Sequence, residues 1–350
     1  MTTPVLGIDI GSETVRAVEL SADGHGRATL QRYHEIDLPS GAVVRGEVQE
    51  PLTVTTAIKQ LRARGGFKSK KAIVGVGNQK VIARDFSVQH APLGRIREIL
   101  PYQVQDLLPV PVADALLDFY PVSESHDEEH GHMVNGLLLA AVKDAVLGNV
   151  KAVQSAGLEA YNVDLIPFAL VRALLARGAA SGTVAIIDLG ATATTVVVAN
   201  GGVPQFVRII PSGSADFTQA LAQRLELSTD AADAVKRKLG LAKSVADADE
   251  HRAVQVIYDQ ANEILGSLRN TVNYFTNVHP EMPVQSIVIT GGGAALPGLM
   301  NALADVTRLP VSLGDPLANV TLGRGVDEQQ LAAARGVAAV AVGLALGSVA

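Results

Sequence analysis

Two turns that lie far apart in the chain each place a carboxylate directly after an apolar run. The first is residues 9–14, DIGSET, and the second is residues 188–193, DLGATA. In each turn a glycine lets the backbone bend sharply and approach a ligand, and small residues follow with free N–H groups and hydroxyls. Turns of this kind can hold phosphate oxygens. The residues that we assign to this role are Asp9, Gly11, Ser12, Glu13, Thr14, Asp188, Gly190, Ala191 and Thr192.

The two carboxylates also predict a metal ion. Asp9 and Asp188 would repel each other if they faced one another across a cleft. A hydrated Mg²⁺ between them removes this repulsion, because Mg²⁺ is bound by one or two carboxylates together with phosphates and waters. One Asp-x-Gly turn is common in ordinary hairpins and is weak evidence. Two such turns at matching places are stronger, so we predict that both residues hold Mg²⁺ through water.

A glycine-rich segment follows a third apolar run. Residues 287–290 lead into Gly291, Gly292, Gly293 and Ala294, and a helix is predicted at 296–305. Glycines without side chains let a base or ribose lie against the backbone, and a helix N-terminus offers N–H donors to an anion. Many α/β proteins have such loops without a ligand. Taken alone, this segment leaves nucleotide binding and an ordinary loop equally open.

Composition excludes several classes of protein. Hydrophobic residues make up 48% of the chain and charged residues 18%, which is enough apolar material for a large core and excludes disorder. The net charge of -6 argues against nucleic acid as a partner. The chain has no Cys, which excludes disulfides and thiolate zinc sites and fits a reducing compartment. We expect no secretory signal at the N-terminus.

One apolar segment, residues 331–346, could be mistaken for a membrane span. It is shorter than the roughly 20 residues that a spanning helix needs, and it contains Arg335. We therefore predict a single buried helix here, and no direct insertion into a membrane.

The elements that must position these residues alternate between strand and helix, and the second half of the chain repeats the first. Three strands joined by tight turns are predicted within 5–36 and again within 183–210, each set with an Asp-x-Gly at its first turn. Between them, residues 84–160 predict a different block. It comprises a helix at 92–108 broken at Pro101, a hairpin of strands 115–122 and 134–142, a helix at 144–156 and a strand at 158–163. The repeat predicts an α/β fold of two similar lobes around a cleft.

The order of these motifs resembles that of the superfamily of actin, sugar kinases and heat-shock chaperones. The turns at Asp9 and Asp188 match its two phosphate motifs, and Gly291–Gly293 match its adenosine motif. The resemblance implies a basic residue near the β-phosphate, and Arg16 occupies that position in this sequence. It also implies that Asp233 and Lys236, in the run DAVK, contact the ribose and adenine. ATP and Mg²⁺ are the cofactors that it implies.

In finer detail the chain resembles the PilM family of type IV pilus assembly, whose relatives are the FtsA cell-division proteins. The segments that carry this resemblance are LGIDIGS at 6–12, IDLGAT at 187–192, ADAVK at 232–236 and AVAVGLAL at 339–346. The resemblance implies a first actin-like lobe at 1–83 with 161–182 and 321–350. It implies an inserted FtsA/PilM-type subdomain at 84–160, and a second lobe at 183–320 with a helical subdomain at about 214–284.

The family resemblance also implies partners. We expect a cytoplasmic ATP-binding scaffold beneath the inner membrane. It would bind the N-terminal tail of a PilN-like membrane protein in a groove between the first lobe and the inserted subdomain. Contacts with other pilus motor components and self-association are further expectations. An FtsA-like cell-division protein and a small-molecule kinase of the same superfamily are the alternatives. The final residues, 346–350, lack a charged or aromatic amphipathic tail, which favours PilM over FtsA.

The sequence departs from the chaperone pattern where a catalytic carboxylate is expected. Ile166 stands at that place, in the run Ile166-Pro-Phe-Ala169, and Asp164, two residues earlier, is a weak candidate to replace it. We therefore expect ATP binding, with hydrolysis slow or absent.

Two other patterns attract less weight. Residues 75–80 begin like a dinucleotide fingerprint but lack its third glycine. His126, His130 and His132 lie among acidic residues and could bind a metal ion, although their spacing matches no closed site. We predict a solvated hairpin tip there.

Overall fold

The strands of the first large sheet come from both ends of the chain and from its middle. They are β1 (Val5–Ile10), β2 (Thr14–Ala22), β3 (Ala28–Asp37), β6 (Lys71–Val76), β10 (Glu159–Leu165) and β16 (Thr321–Leu322). Their order is β10-β6-β1-β2-β3-β16. The computed structural model describes residues 4–23, 26–127, 131–175 and 182–348, and all structural statements below concern these residues.

A second large sheet repeats this arrangement. Its strands are β11 (Thr183–Leu189), β12 (Thr194–Asn200), β13 (Val203–Ile210), β14 (Ser286–Thr290) and β15 (Val311–Leu313), in the order β13-β12-β11-β14-β15. In both sheets the first strand of the repeat has an antiparallel neighbour, its hairpin partner, and a parallel neighbour from later in the chain. The predicted duplication is confirmed.

The remaining strands form smaller sheets. A three-stranded sheet, ordered β7-β9-β8, contains β7 (Val81–Gln89), β8 (Ala115–Asp127) and β9 (Gly131–Val142). A two-residue hairpin pairs β4 (Val43–Val44) with β5 (Glu47–Val48). Strand β7 was not predicted, because the adjacent exposed charges Arg84 and Asp85 interrupt its apolar pattern. It also placed a loop at 123–132, whereas β8 and β9 continue into that segment and pair His126 with His132.

The helices cover the faces of the sheets. They are α1 (Pro51–Gly65), α2 (Leu93–Gln103), α3 (Lys143–Ser155), α4 (Ile166–Leu174), α5 (Ser214–Arg224), α6 (Thr229–Leu239), α7 (Ala248–Val278), α8 (Leu299–Thr307), α9 (Glu328–Ala334) and α10 (Ala339–Leu346). The predicted helix at 92–108 was too long: α2 includes Pro101 and ends at Gln103. A proline this close to the C-terminal end removes few of the backbone hydrogen bonds of a helix.

The C-terminal apolar segment is two helices, so the prediction of one helix at 331–346 was wrong. Residues 335–338 separate α9 from α10. The carbonyl of Gly336 accepts hydrogen bonds from the backbone N–H of Gly291 (2.8 Å) and from the hydroxyl of Thr290 (2.9 Å). A continuous α-helix would use that carbonyl internally, so the break ties the C-terminal segment to the glycine loop. Among the described residues, no helix is long and apolar enough to cross a membrane.

Helices α4 and α10 lie between the two large sheets. One core cluster joins side chains of both helices to strands of both sheets, including Val5, Phe168, Ile186 and Leu344. The helices cross closely, since a Cβ at Gly343 would lie 1.9 Å from the carbonyl oxygen of Ala169. The apolar, Ala-rich composition of α10 thus serves contact between the lobes.

Strand pairing bears on the proposed domain limits. Helix α3 contributes Ala152 and Val153 to the core of the first lobe, and β10 pairs with β6 in the six-stranded sheet. The backbone N–H of Val142 donates to the carbonyl of Lys80 (3.3 Å), so the three-stranded unit leaves and re-enters the lobe at one place. We therefore propose 81–142 rather than 84–160 for the inserted subdomain, which assigns 1–80, 143–182 and 321–350 to the first lobe, and we retain the predicted second lobe at 183–320 as a proposal.

Candidate functional site

The two carboxylate turns have the same backbone geometry and face each other. In the first, the N–H of Gly11 donates to the carbonyl of Thr14 (2.9 Å), and in the second the N–H of Gly190 donates to that of Ala193 (3.0 Å). Both turns connect the first two strands of a repeat, β1 to β2 and β11 to β12. They enclose a cavity of about 160 Å³.

All of the predicted phosphate residues line this cavity. They are Asp9, Gly11, Ser12, Glu13, Thr14, Arg16, Asp188, Gly190, Ala191 and Thr192, joined by Gly291 and Gly292. The hydroxyls of Ser12 and Thr192 are 2.6 Å apart, so the two turns are in direct contact across the cleft. The duplicated fold therefore brings residues 180 positions apart into one site.

One cation lies beside the paired carboxylates. The guanidinium of Arg16 is 3.7 Å from the Asp9 carboxylate and 2.9 Å from that of Glu35. Burial raises the pKa of Asp9, and the charge and hydrogen bond of Arg16 oppose this shift. Burial, followed by repulsion from Asp9, raises the pKa of Asp188 to about 7, with a smaller opposing effect of Arg16.

These shifts describe a site whose positive charge is too small for its carboxylates. Arg16 is shared with Glu35, and it does not offset the cost of holding two carboxylates in a partly buried cleft. A divalent cation would remove this cost, and carboxylates with open space for waters are the ligands that Mg²⁺ accepts. Asp9 and Asp188 therefore fit a bound Mg²⁺.

The glycine loop approaches the second turn very closely. Gly291 has φ +89°, and a Cβ there would lie 2.6 Å from Oδ1 of Asp188. Any other residue would clash with this carboxylate and strain the backbone. The predicted residues of the loop divide between two cavities: Gly291 and Gly292 line the phosphate cavity, and Gly292 and Gly293 line the one beside it. Ala294 is buried and lines neither cavity.

The adjoining cavity is larger, about 680 Å³, and is continuous with the first through shared residues such as Thr14 and Gly292. Asp233 and Lys236 line it from α6, with Nζ of Lys236 2.7 Å from the Asp233 carboxylate. Burial acts to raise the pKa of Asp233, but the hydrogen bond and charge of Lys236, with Arg237, lower it. Lys236 also donates to the hydroxyl of Thr218 (2.7 Å), which holds it against α5.

The structure places Asp164 outside the cleft. It lies in β10, pairs with Arg172 of α4, and lines a groove beside the inserted sheet. The assignment of Asp164 as a catalytic residue is therefore corrected: its strand directs it to the groove, where Arg172 neutralises it. Ile166 does line the phosphate cavity, as the sequence analysis supposed, and its side chain lies against Gly75 and Gly77.

Sequence reasoning missed one polar residue in the cavity. Asn149 of α3 lines it, and its buried Oδ1 has no hydrogen-bond partner within the described part of the chain. A buried, unpaired amide oxygen is costly unless a water or ligand contacts it. No local motif marks Asn149, because its position depends on how α3 packs against the first lobe.

The fold and the paired turns define the class of this protein: it is an actin-like protein with two duplicated lobes around a cleft. MreB 5 of Spiroplasma citri bound to AMPPNP shares this fold, with a TM-score of 0.55 and 10% identity over 98% of this chain and 95% of that one. The chain belongs to the type IV pilus assembly protein PilM family, whose sequence profile matches residues 7–349.

Two more similar proteins fit this assignment. A chain of the PilM-PilN type IV pilus biogenesis complex has a TM-score of 0.86 and 28% identity, with 99% of this chain and 98% of that chain covered. The cell division protein FtsA of Bacillus subtilis (strain 168) is 26% identical over 349 residues, which cover 89% of this chain and 78% of FtsA.

Proposed function

We propose that this protein is an ATP-binding scaffold of type IV pilus assembly that binds the N-terminal cytoplasmic tail of a PilN-like membrane protein. The observation that carries the nucleotide part is the matched pair of turns at Asp9 and Asp188, which enclose one cavity. Family membership and the likeness to a chain of the PilM-PilN complex support the pilus part. The protein would lie at the inner face of the cytoplasmic membrane through this partner.

The two cavities match the two parts of ATP. The smaller one is lined by turn N–H groups, hydroxyls and Arg16, which suit the phosphates. The larger one is lined by Asp233, Lys236 and the glycine loop, which suit a ribose and a base. Bound nucleotide would contact both lobes and so favour one angle between them.

Mg²⁺ would be held by Asp9 and Asp188 and would neutralise charge on the phosphates. The same two residues are the source of the electrostatic cost in the cleft, because burial and repulsion from Asp9 raise the pKa of Asp188 to about 7. The end of the Arg16 guanidinium that lies 3.7 Å from Asp9 would then contact a phosphate, while its Nε keeps the hydrogen bond to Glu35 (2.9 Å).

Turnover would be slow. The place of a catalytic carboxylate is taken by Ile166, and Asp164 is held outside the cleft by Arg172. Asn149 can orient a water through its unpaired Oδ1 but is too weak a base to deprotonate it. Such a protein would change its nucleotide state rarely, which suits a scaffold.

The tail would lie in the groove that Asp164 lines. This groove has a volume of about 410 Å³ and lies between β8 of the inserted sheet and β10 of the six-stranded sheet. Its walls are mainly apolar, with Phe119 and Phe168 among them, and the ion pair of Arg97 with Asp118 (2.6 Å) lies at one side. An apolar groove suits a short peptide with aliphatic side chains.

The strands beside the groove give a second reason to place the tail there. Both β8 and β10 are edge strands of their sheets. An edge strand has unpaired N–H and C=O groups, and an extended peptide can add to it as a further strand. The groove therefore offers a tail both apolar contacts and backbone hydrogen bonds. Contacts with other pilus motor components and self-association are further proposals.

A binding experiment tests this function. A synthetic peptide of the N-terminal tail of the PilN-like protein from the same organism should bind wild-type protein in titration calorimetry. A variant with 81–142 replaced by a short Gly-Ser linker is the matched comparison, since Lys80 and Val142 are already in contact. It should retain MgATP binding and lose the tail. Tail binding at full affinity by this folded variant would refute the groove.

A further inference from the structure

Three side chains that commonly ligate transition metals meet on the inserted sheet. Nε2 of His132 is 2.9 Å from one carboxylate oxygen of Glu124, and Nε2 of His90 is 3.8 Å from the other. The two imidazole rings stack with centroids 4.2 Å apart and planes within 5°. The three potential ligand atoms all lie within 4.8 Å of one another.

The sheet itself brings these residues together. His132 lies in β9 and Glu124 in β8, and His90 is the first residue after β7. The three residues are therefore held at three neighbouring strand positions of the β7-β9-β8 sheet. The backbone N–H of His90 donates to the carbonyl of His132 (2.9 Å), which extends the β7–β9 ladder to this point. Ligands fixed by backbone pairing are positioned before any ion arrives, which lowers the entropic cost of binding.

We propose that His90, Glu124 and His132 form a Zn²⁺ site. Two imidazoles and one carboxylate are a known ligand set for zinc, which takes tetrahedral coordination with N ligands at about 2.0–2.1 Å and O ligands at about 2.0–2.2 Å. Imidazole also favours zinc over Mg²⁺, which selects oxygen ligands. The three side chains leave a fourth position open.

Only small movements are needed to close the site around an ion. All three side chains are exposed, so their rotamers can change without disturbing the core. Because a metal ion lies near the plane of each imidazole that ligates it, the parallel rings must tilt apart on binding. His126 pairs with His132 across the β8–β9 ladder and is exposed on the same face. It is therefore our candidate for the fourth ligand.

The proposed zinc ligands differ from the histidines that the sequence suggested, and they lie away from the nucleotide cleft. The sequence grouped His126, His130 and His132, whereas His90 and Glu124 are the partners of His132, and His130 lies outside the described residues. None of the three ligands lines the phosphate cavity, the adjoining cavity or the groove. Zinc binding can therefore succeed or fail independently of the proposed ATP binding.

Calorimetric titration of chelator-treated full-length protein with ZnCl₂ tests the proposal. The chain has no Cys, so thiolates cannot compete for the ion. We expect one zinc per chain, with H90A and H132A each raising the Kd at least about 10-fold and E124Q raising it less. MgCl₂ should give no binding at this site. H251A, which removes an exposed His of α7, is the control and should match wild type.

A second measurement reports the geometry. Co²⁺ in place of zinc should give the intense visible absorption of tetrahedral coordination in wild type and in H251A, and not in H90A or H132A. Circular dichroism checks that every variant is folded. Zinc affinities in H90A and H132A equal to that of wild type, or no zinc binding by wild type, would overturn the proposal.

Discussion

The hydroxyls of Ser12 and Thr192 lie 2.6 Å apart and join the two lobes at the point where phosphates are expected. Ser12 is the third residue after Asp9 and Thr192 is the fourth after Asp188, so the contact links the two carboxylate turns, one from each half of the duplication. We expect nucleotide that binds between the turns to displace this hydrogen bond, so the loss of the contact should accompany binding.

The first prediction concerns nucleotide binding. MgATP at about 100 times its Kd should raise the free energy of unfolding by about 2.7 kcal/mol, because a ligand that binds only folded protein stabilises it by mass action. Thermal and denaturant unfolding, with nucleotide-free protein as the starting point, measure this. No stabilisation at millimolar MgATP would refute the nucleotide assignment.

The second prediction concerns the metal ligands. Asp9→Ala and Asp188→Ala should each weaken MgATP binding more than Glu13→Ala, because Asp9 and Asp188 flank the predicted ion and Glu13 is exposed at the rim. Titration calorimetry with MgATP compares them. Equal affinities in wild type and both Asp variants would contradict the assignment.

The third prediction follows from the raised pKa of Asp188. Its pKa is about 7 in the folded protein, compared with 3.8 for an ordinary Asp side chain, which stands for the unfolded state. Between pH 3.8 and about pH 7, the folded state therefore holds a proton that the unfolded state has lost. The stability of the nucleotide-free protein should then fall as pH rises through this window. Asp188→Asn cannot ionise and should be the more stable protein at about pH 8, with little or no advantage at about pH 4.

Chemical unfolding of wild type and Asp188→Asn at both pH values measures this difference in stability, and the same curves with MgATP test the effect of the ion. If Mg²⁺ occupies the site, adding MgATP should reduce the disadvantage of wild type at high pH, because the ion stabilises the ionised carboxylate. A difference between Asp188→Asn and wild type that stays constant with pH would show that Asp188 does not titrate in this range.

The fourth prediction concerns the groove. Leu116→Asp and Val163→Asp should weaken binding of the tail, since both side chains line the groove from the two edge strands and a charge there is costly to bury. Leu52→Asp is the control, because Leu52 of α1 is an apolar side chain that is more exposed than Leu116 or Val163 and does not line the groove. Peptide affinity should fall in the first two variants only, with MgATP binding unchanged in all three.

The fifth prediction concerns the packing between the lobes. Gly343→Ala should destabilise the protein by about 1–3 kcal/mol, because its Cβ would collide with the carbonyl of Ala169. Gly266→Ala offers a contrast in a helix where a Cβ meets nothing within 4 Å, and should stabilise by about 0.5–1 kcal/mol. Chemical unfolding gives both values. Equal effects would mean that α10 can shift to accept a side chain.

What the sequence could predict was set by local signals. The turns after Asp9 and Asp188 are marked by glycine and small residues, and their repetition revealed the duplication before any contact was known. In contrast, two features depend on contacts between distant segments and could not be predicted. Asp164 of β10 pairs with Arg172 of α4, and the break between α9 and α10 is where Gly336 contacts the glycine loop.

Asn149 and the cluster of His90, Glu124 and His132 show a second limit. Each depends on register between strands or on the packing of a helix across a sheet, and residue type and spacing do not encode either. Our proposed earlier start of the inserted subdomain rests on β7, whose adjacent exposed charges Arg84 and Asp85 make its sequence resemble a loop.

The two open strand edges beside the groove have a consequence for handling the protein. An unpaired edge next to apolar side chains is a template for pairing with any extended chain, including another copy of itself. A bound tail would cover these edges and act as a cap against aggregation. Expression without the partner should therefore yield protein whose colloidal stability falls as its concentration rises, and co-expression with the tail should restore it.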